Sequence, residues 1–444
     1  MSSKTESDAA YPNRAYAWYV VAVLLLAYVF SFLDRTIIGL LVIPIEHDLG
    51  INDTDLSLLQ GFSFALFYAL LGLPIARLVD ARSRRLVIAC GIVAWSIMTA
   101  LCGTANRFWQ LFTARIGVGA GEATLLPGAT SLLADYFPPQ RRGLALGVFA
   151  TGIFLGTGVA LIVGGRLITA LDGVELILPL IGATHPWQVV FIAVGLPGIL
   201  VALLMLTVRE PARQGSLALA EGRGMPLRDV GKYLRANLDT VLCHNLGFTL
   251  LAAAGFAASA WIPTVFIRVH GWTAGEVGQR FGLLSLIVGP LGSIVGGLLA
   301  DAYRRRGKRD GKLRVALIAA IGCVPFAVAF PLTPDPFVAI GLLVPFVFFV
   351  SFVWGLAPGA LQEVMPNQMR GQATALYTGV VNLLGLGLGP TSVAVMADYV
   401  FHDPAKLNVA AAIVVPILLL GAAVLFRAGF APYCRTLDRL ATAR

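Results

Sequence analysis

The sequence predicts an all-α integral membrane protein of twelve transmembrane helices in two six-helix bundles, and three observations carry that prediction. Of the 444 residues, 57% are hydrophobic and 13% charged, with a mean hydropathy of +0.81, which leaves too few charges to cover a soluble surface. The apolar residues form long runs, such as 17–33 and 409–426, close to the roughly 20 residues that cross about 30 Å of hydrocarbon. Short polar segments also recur at matching places in the two halves, the mark of a parallel repeat.

The elements follow in order. Residues 1–15 form a polar tail. The first apolar run is longer than a signal-peptide core and lacks a small-residue cleavage pattern, so it is expected to stay as the first span. Runs at 16–42, 54–78, 85–105, 108–136, 142–168 and 187–208 make the N-terminal bundle, 16–208. Residues 209–237 are polar and basic, and Gly215, Gly222, Gly224 and Pro226 discourage one continuous helix there, so this stretch reads as a linker. Runs at 238–267, 274–300, 313–332, 336–362, 371–397 and 407–430 make the C-terminal bundle, 238–430, and 431–444 form a second tail.

A formal net charge of +9 raises nucleic-acid binding as a function. The basic residues, however, lie in short loops between apolar runs, so topology explains them and no nucleic-acid partner is expected. Arg82, Arg84 and Arg85 fall on one side with Arg141, Arg142, the linker, the 304–309 cluster, Arg370 and the C-terminal tail, while loops 46–55 and 172–187 carry no Lys or Arg. The basic side is expected to be cytoplasmic, with both termini on it. Of the five cysteines, Cys90, Cys102, Cys243 and Cys323 lie in apolar runs and read as small core residues.

The repeat is specific. Ala76-Arg-Leu-Val-Asp80-Ala-Arg-Ser-Arg84-Arg85 after the second span parallels Gly297-Leu-Leu-Ala-Asp301-Ala-Tyr-Arg-Arg305-Arg306 after the eighth. Pro138-Pro-Gln140-Arg-Arg142-Gly143 after the fourth parallels Pro366-Asn-Gln368-Met-Arg370-Gly371 after the tenth. Along nearly its whole length the chain resembles the major facilitator superfamily, whose loop motif Gly-x-x-x-Asp-Arg-x-Gly-Arg-Arg is matched at Asp80, Arg84 and Arg85 and again at Gly297, Asp301, Arg305 and Arg306. The first copy departs at Ala76, Ala81 and Ser83, the second at Ala302 and Arg304. The resemblance implies the major facilitator fold. A carboxylate at a helix end can pair with a nearby arginine and with the positive N-terminus of another helix, so Asp80, Arg84, Arg85, Arg142, Asp301, Arg305 and Arg370 are expected to form a cytoplasmic gate.

Charges inside the membrane need a reason, since each costs at least about 2.5 kcal/mol at the centre of a span. Asp34 and Arg35 lie in the first span, Arg115 and Glu122 in the fourth. At 1.5 Å per residue, Asp34 stands about 12 Å short of the outer end of its span and Arg115 about 12 Å below the outer side, so they share a depth. Arg115 and Glu122, seven residues apart, share a helix face. Gly117, Gly119 and Gly121 between them allow close helix approach or substrate contact. Asp34 with Arg115 could be a structural ion pair. Glu122, with no fixed cation expected beside it in a partly apolar cavity, reads as a proton carrier, with Asp34 as the second.

Leu33-Asp34-Arg35, together with Arg115-x-x-x-Gly119-x-Gly121-Glu122-Ala123, resembles the spinster family of lysolipid and sphingolipid transporters. That resemblance implies proton-linked movement of a lysophospholipid or sphingoid phosphate. An arginine matches phosphate oxygens bidentately, so Arg35 and Arg115, with Glu122, are candidates for a headgroup, and Phe62, Phe154, Trp261, Phe352, Trp354 and Tyr377 for the walls around an acyl chain. The glycines of the fifth span read as a packing face, and Gly385, Gly387, Gly389 and Pro390 in the eleventh as a kink. Arg166, Arg268 and Arg280 are expected to snorkel, and His244 and Glu363 to be solvated near span ends.

The chain is therefore expected to be a proton-coupled secondary transporter of an amphipathic anionic lipid. It would be a monomer in a plasma or inner membrane, driven by a proton gradient without a cofactor. A proton-coupled exporter of drugs or organic anions is the alternative within transport, and a scramblase or non-transporting membrane protein lies outside it. No nucleophile pair, metal motif or phosphate loop supports an enzyme.

Overall fold

A backbone in hydrocarbon can satisfy its own N–H and C=O groups only by closing on itself, so apolar runs of span length become helices. The computed structural model describes residues 11–171, 176–178, 182–211, 227–366 and 369–442. Among these, eleven helical stretches have span length and hydropathy: Arg14–Leu40 (span 1), Asp53–Gly72 (span 2), Arg84–Cys102 (span 3), Gln140–Leu171 (span 5), Pro186–Met205 (span 6), Leu238–His270 (span 7), Ala274–Arg305 (span 8), Gly311–Leu332 (span 9), Pro336–Glu363 (span 10), Arg370–Val400 (span 11) and Pro404–Thr442 (span 12). Span 4 is the twelfth. It is broken into Phe108–Glu122 and Leu125–Tyr136, each too short to cross alone, and the break follows Glu122 directly.

An even number of crossings returns the chain to the face on which span 1 begins, called here the chain-end face. Between spans 5 and 6, on the opposite face, β1 (Leu176–Leu178) pairs antiparallel with β2 (Gly182–Thr184). Within the expected linker, Leu227–Ala236 is helical and Tyr233 Oη donates to the Val364 carbonyl at 2.7 Å. Gly215, Gly222, Gly224 and Pro226 lie outside the described residues. Residues 431–442, expected as a tail, continue the helix of span 12.

Among the described residues the halves meet along two main seams, with a lesser contact of span 1 at Gly39 on span 7 at Ala260. Span 5, through Gly152–Leu171, packs on span 8, and the contact is backbone against backbone. A Cβ at Gly165 would stand 2.6 Å from the Ala274 carbonyl oxygen, and one at Gly282 would stand 2.8 Å from that of Gly158. At Gly147 and Gly297, nearer the chain-end face, a Cβ would meet nothing within 4 Å. The second seam joins spans 2 and 11, both of which carry a π-helical stretch, Leu58–Phe62 and Val381–Leu386, where Gly61 abuts the Leu386 backbone. The bend expected from Pro390 is thus accompanied by an underwound register change in both partners.

Candidate functional site

Four of the sequence candidates form a buried cluster between spans 1 and 4. Ser31 and Arg35 are one turn apart on span 1 and reach the same carboxylate: Ser31 Oγ and Arg35 Nε each donate to Glu122 Oε2 at 2.5 Å. The expectation that Glu122 has no fixed cation is therefore corrected. Four-residue spacing on span 1 places that cation over it. The Arg35 guanidinium lies 4.1 Å from the Phe64 ring centroid and 5.0 Å from that of Phe32. It keeps 20% of its side chain exposed, whereas the Glu122 side chain is 0% exposed.

Arg115 is enclosed. Its Nη1 donates to the Asp34 carbonyl at 2.9 Å and its Nε to the Leu59 carbonyl at 3.2 Å. It ties spans 1, 2 and 4 through backbone oxygens, and no ion pair joins it to the Asp34 carboxylate among the described residues. The carboxylate of Asp34 is buried, with Oδ1 lacking a hydrogen-bond partner. The span 4 glycines serve helix approach: a Cβ at Gly119 would stand 2.8 Å from the Phe64 carbonyl oxygen and one at Gly121 would stand 2.8 Å from the Trp95 nitrogen.

Beside this cluster a cavity of about 180 Å3 lies between the halves. Span 1 contributes Phe32 and Arg35, span 2 Gln60 and Phe64, span 5 Phe154 and Thr157, and the C-terminal half Phe256, Ser259, Ser285, Ser351 and Trp354. Of the expected wall and headgroup residues, Arg35, Phe154 and Trp354 line it. Glu122 stands behind Arg35. Trp261 is buried with Nε1 donating to the Pro390 carbonyl at 2.9 Å, Phe352 is packed among Phe348 and Phe349, and Tyr377 stands edge-on to His244. Phe62 and Arg115 are also outside the lining. Gln60 was not anticipated. It sits in the π-helical stretch of span 2 and is buried, and neither amide atom has a hydrogen-bond partner among the described residues.

The two faces are held differently. On the opposite face, Arg268 of span 7 reaches across to the N-terminal half, Nη2 to Glu46 Oε2 at 2.5 Å and Nη1 to Asp53 Oδ2 at 2.8 Å. Arg268 is thus a cross-half latch and does not snorkel. The Thr54 N–H and Oγ1 both donate to Asp398 Oδ2 at 2.7 Å, and Ser57 Oγ donates to Thr391 Oγ1 at 3.1 Å. Glu46, in the short helix Val42–Leu49 beyond span 1, is pushed up to about 9, first by burial and then by hydrogen bonding to and repulsion from Asp53, with Arg268 acting the other way.

On the chain-end face the expected gate residues bond within their own halves. Arg84 is buried against Asp135, and its Nε donates to Glu210 Oε1 at 2.7 Å. Burial alone would raise the Glu210 carboxyl, but hydrogen bonds from Arg84, the Arg85 N–H and Ser83 outweigh it and hold the group below its ordinary range. Arg85 Nη1 donates to the Val208 carbonyl at 3.2 Å, Arg142 Nη2 to that of Ala134 at 2.7 Å and Arg370 Nε to that of Gln362 at 3.0 Å. Asp301 and Arg305 are exposed. The side chain of Asp80 lies outside the described residues.

Glu363 accepts from Lys312 Nζ at 2.8 Å, Arg304 Nη1 at 3.1 Å and Tyr433 Oη at 2.7 Å, so it is a packed anchor and not a solvated end. Asp135 and Glu210 were missed, and Glu363 was read only as a solvated span end. The repeat held the signal for two of the three, because the offset that lays Pro138 on Pro366 lays Asp135 on Glu363. His244, expected to be solvated, is 0% exposed with Nε2 3.0 Å from the Ala357 carbonyl oxygen. Cys90, expected in the core, is exposed.

The family model of the Major Facilitator Superfamily matches residues 24–390. Among curated relatives, an MFS-type efflux pump of Mycolicibacterium smegmatis is 28% identical, covering 88% of this chain and 86% of the relative. Protein spinster homolog 1 of Xenopus laevis is 26% identical, covering 87% of this chain and 74% of the relative. Among solved structures, a bacterial homolog to the human lysosomal transporter spinster, in an inward-facing and unoccupied conformation, superposes with a TM-score of 0.78 at 27% identity, covering 98% of this chain and 99% of that one.

Proposed function

The chain belongs to the Major Facilitator Superfamily and is a spinster-like transporter, and from that premise we propose that it moves an amphipathic anionic lipid, of lysophospholipid or sphingoid-phosphate type, by proton-coupled alternating access. The observation that carries this reading is the divided position of Arg35. Its Nε is held by Glu122, while a fifth of its side chain remains exposed and the residue lines a cavity walled by Phe32, Phe64, Phe154, Phe256 and Trp354. A phosphate entering that cavity competes with Glu122 for Arg35, and the aromatic walls accept an acyl chain.

Protonation of Glu122 releases Arg35 to the anion, and arrival of the anion leaves Glu122 without its cation, which favours protonation. By linkage the two events assist each other equally. Asp34, buried in the same cluster, is the second carboxyl able to carry a proton. The chain-end face, rich in arginine, is taken as cytoplasmic by the positive-inside rule, with Asp80, Arg84, Arg85, Arg142, Asp301, Arg305 and Arg370 serving its gate. With the opposite face latched through Arg268, the arrangement corresponds to an inward-open state. The monomer is the working unit, in a plasma or inner membrane.

The relative named as an efflux pump supports a second reading, export of drugs or other organic anions through the same apolar cavity. Both readings are tested in proteoliposomes with a panel of lysolipids, sphingoid phosphates and drugs at two pH values. The lipid reading expects gradient-driven flux of the phosphate-bearing lipids, abolished by Glu122→Gln in protein that still folds. Flux confined to non-lipid compounds replaces it with the second reading, and proton dependence that survives Glu122→Gln removes Glu122 as carrier.

A further inference from the structure

Spans 9 and 12 pack together, and at their chain-end side Asp310, Arg314, Arg427, Phe430, Ala431 and Cys434 line an open recess of about 380 Å3. It lies apart from the central cavity and has no part in the function proposed above. The guanidinium carbon of Arg314 is 4.7 Å from the Phe430 ring centroid, and that of Arg427 is 5.6 Å from it. Two cations thus share one aromatic platform. They repel one another unless an anion joins them.

The protein supplies only part of that anion. Asp310 accepts from Arg314 Nε at 2.8 Å, and its side chain is 6% exposed, whereas that of Arg314 is 35% exposed. Among the described residues, the two Nη nitrogens of Arg314 and the whole guanidinium of Arg427 have no hydrogen-bond acceptor. Forked donors left open in this way match the oxygens of a phosphate.

The second observation lies above the arginines. Ile318, Ile321 and Val328 follow Arg314 at four, seven and fourteen residues, and Val424, Leu420 and Ile417 precede Arg427 at three, seven and ten. These spacings keep one helix face, and all six side chains are 39–68% exposed. Two apolar stripes therefore climb from the recess into the hydrocarbon. The stretch from Arg427 to Ile417 rises about 15 Å, the depth of one leaflet.

We propose that this recess is a resident site for a diacyl phospholipid with an anionic headgroup. Its phosphate is held between Arg314 and Arg427 against Phe430, and its acyl chains lie along the two stripes. A basic pocket between spans at the headgroup level is the geometry such lipids select.

The test uses the full chain purified in detergent and titrated with phosphatidylglycerol, phosphatidylcholine or inorganic phosphate, read by thermal unfolding and by native mass spectrometry. Phosphatidylglycerol is expected to raise the melting temperature and to stay bound through detergent exchange, and the other two are not. Arg427→Gln, at an exposed position, should weaken the half-saturating concentration roughly fivefold. Arg314→Lys, which keeps a cation beside Asp310, should weaken it less. Arg35→Gln should leave the phosphatidylglycerol response in place, which separates this recess from the central cavity. An Arg427→Gln titration that superposes on the parent, an equal response to phosphatidylcholine, or an equal response to inorganic phosphate would each overturn the proposal.

Discussion

The two halves of this transporter share one helical plan and divide the chemistry unequally. The N-terminal half buries Ser31, Asp34, Arg115 and Glu122 between spans 1 and 4, with Arg35 half-buried beside them. The C-terminal half answers with aromatic and hydroxyl-bearing walls and one enclosed imidazole, His244, on the carbonyl of Ala357. A duplicated fold therefore does not duplicate function. One half buries charged groups at span depth beside the cavity, and the other lines it with uncharged side chains.

Breaking the ion pair of the N-terminal half tests this division most severely. Arg35→Ala leaves Glu122 buried without a cation and is expected to cost about 3–5 kcal/mol. The double change Arg35→Met with Glu122→Met should unfold near the parent temperature and yet not transport. Equal melting temperatures for parent and Arg35→Ala would mean that the cluster is not held as an ion pair.

The latch where the halves meet comes next. Glu46 is pushed up to about 9 in the closed form and has its ordinary value near 4.5 when the latch opens and water reaches it. Between those values the closed form binds more protons, so closure is favoured by acid and is lost as pH rises through the window. Spin-label distances between the ends of spans 1 and 7 on that face should register at least about a tenfold change in the closed-to-open ratio from pH 5 to 9. Glu46→Gln should flatten the profile, and an unaltered profile would place the titrating group elsewhere.

Two smaller effects sharpen the contrast. His244→Leu strips a buried carbonyl of its donor, a loss of about 1–3 kcal/mol in stability, while proton coupling in proteoliposomes should be intact; loss of coupling would make the C-terminal half a second titrating centre. Gln60→Leu should change substrate affinity by only about two- to tenfold, and binding calorimetry that finds no change would leave its free amide without a ligand.

Much of the fold was legible because hydropathy and the repeat are properties of the chain itself. Eleven spans and the broken twelfth fall close to the apolar runs. The site was half legible. Charges at span depth drew attention to Asp34, Arg35, Arg115 and Glu122, but partnership depends on rotation about each helix axis. The spacing of Ser31 and Arg35 held that information, whereas equal depth alone suggested Asp34 with Arg115. Wall residues were harder, since an aromatic in a hydrophobic run reads the same whether it faces a cavity, as Trp354 does, or a neighbouring helix, as Phe352 does. The π-helical stretch that carries Gln60 leaves no mark in periodicity.

The glycine contact between spans 5 and 8 has its Gly165 end on the latched side, beyond Thr157 and Phe281 where the seam borders the central cavity, and its fit there leaves no room for an added methyl. A compound wedged into that contact would arrest the cycle without touching Arg35 or the aromatic walls. Its inhibition would be non-competitive, and no excess of substrate could relieve it.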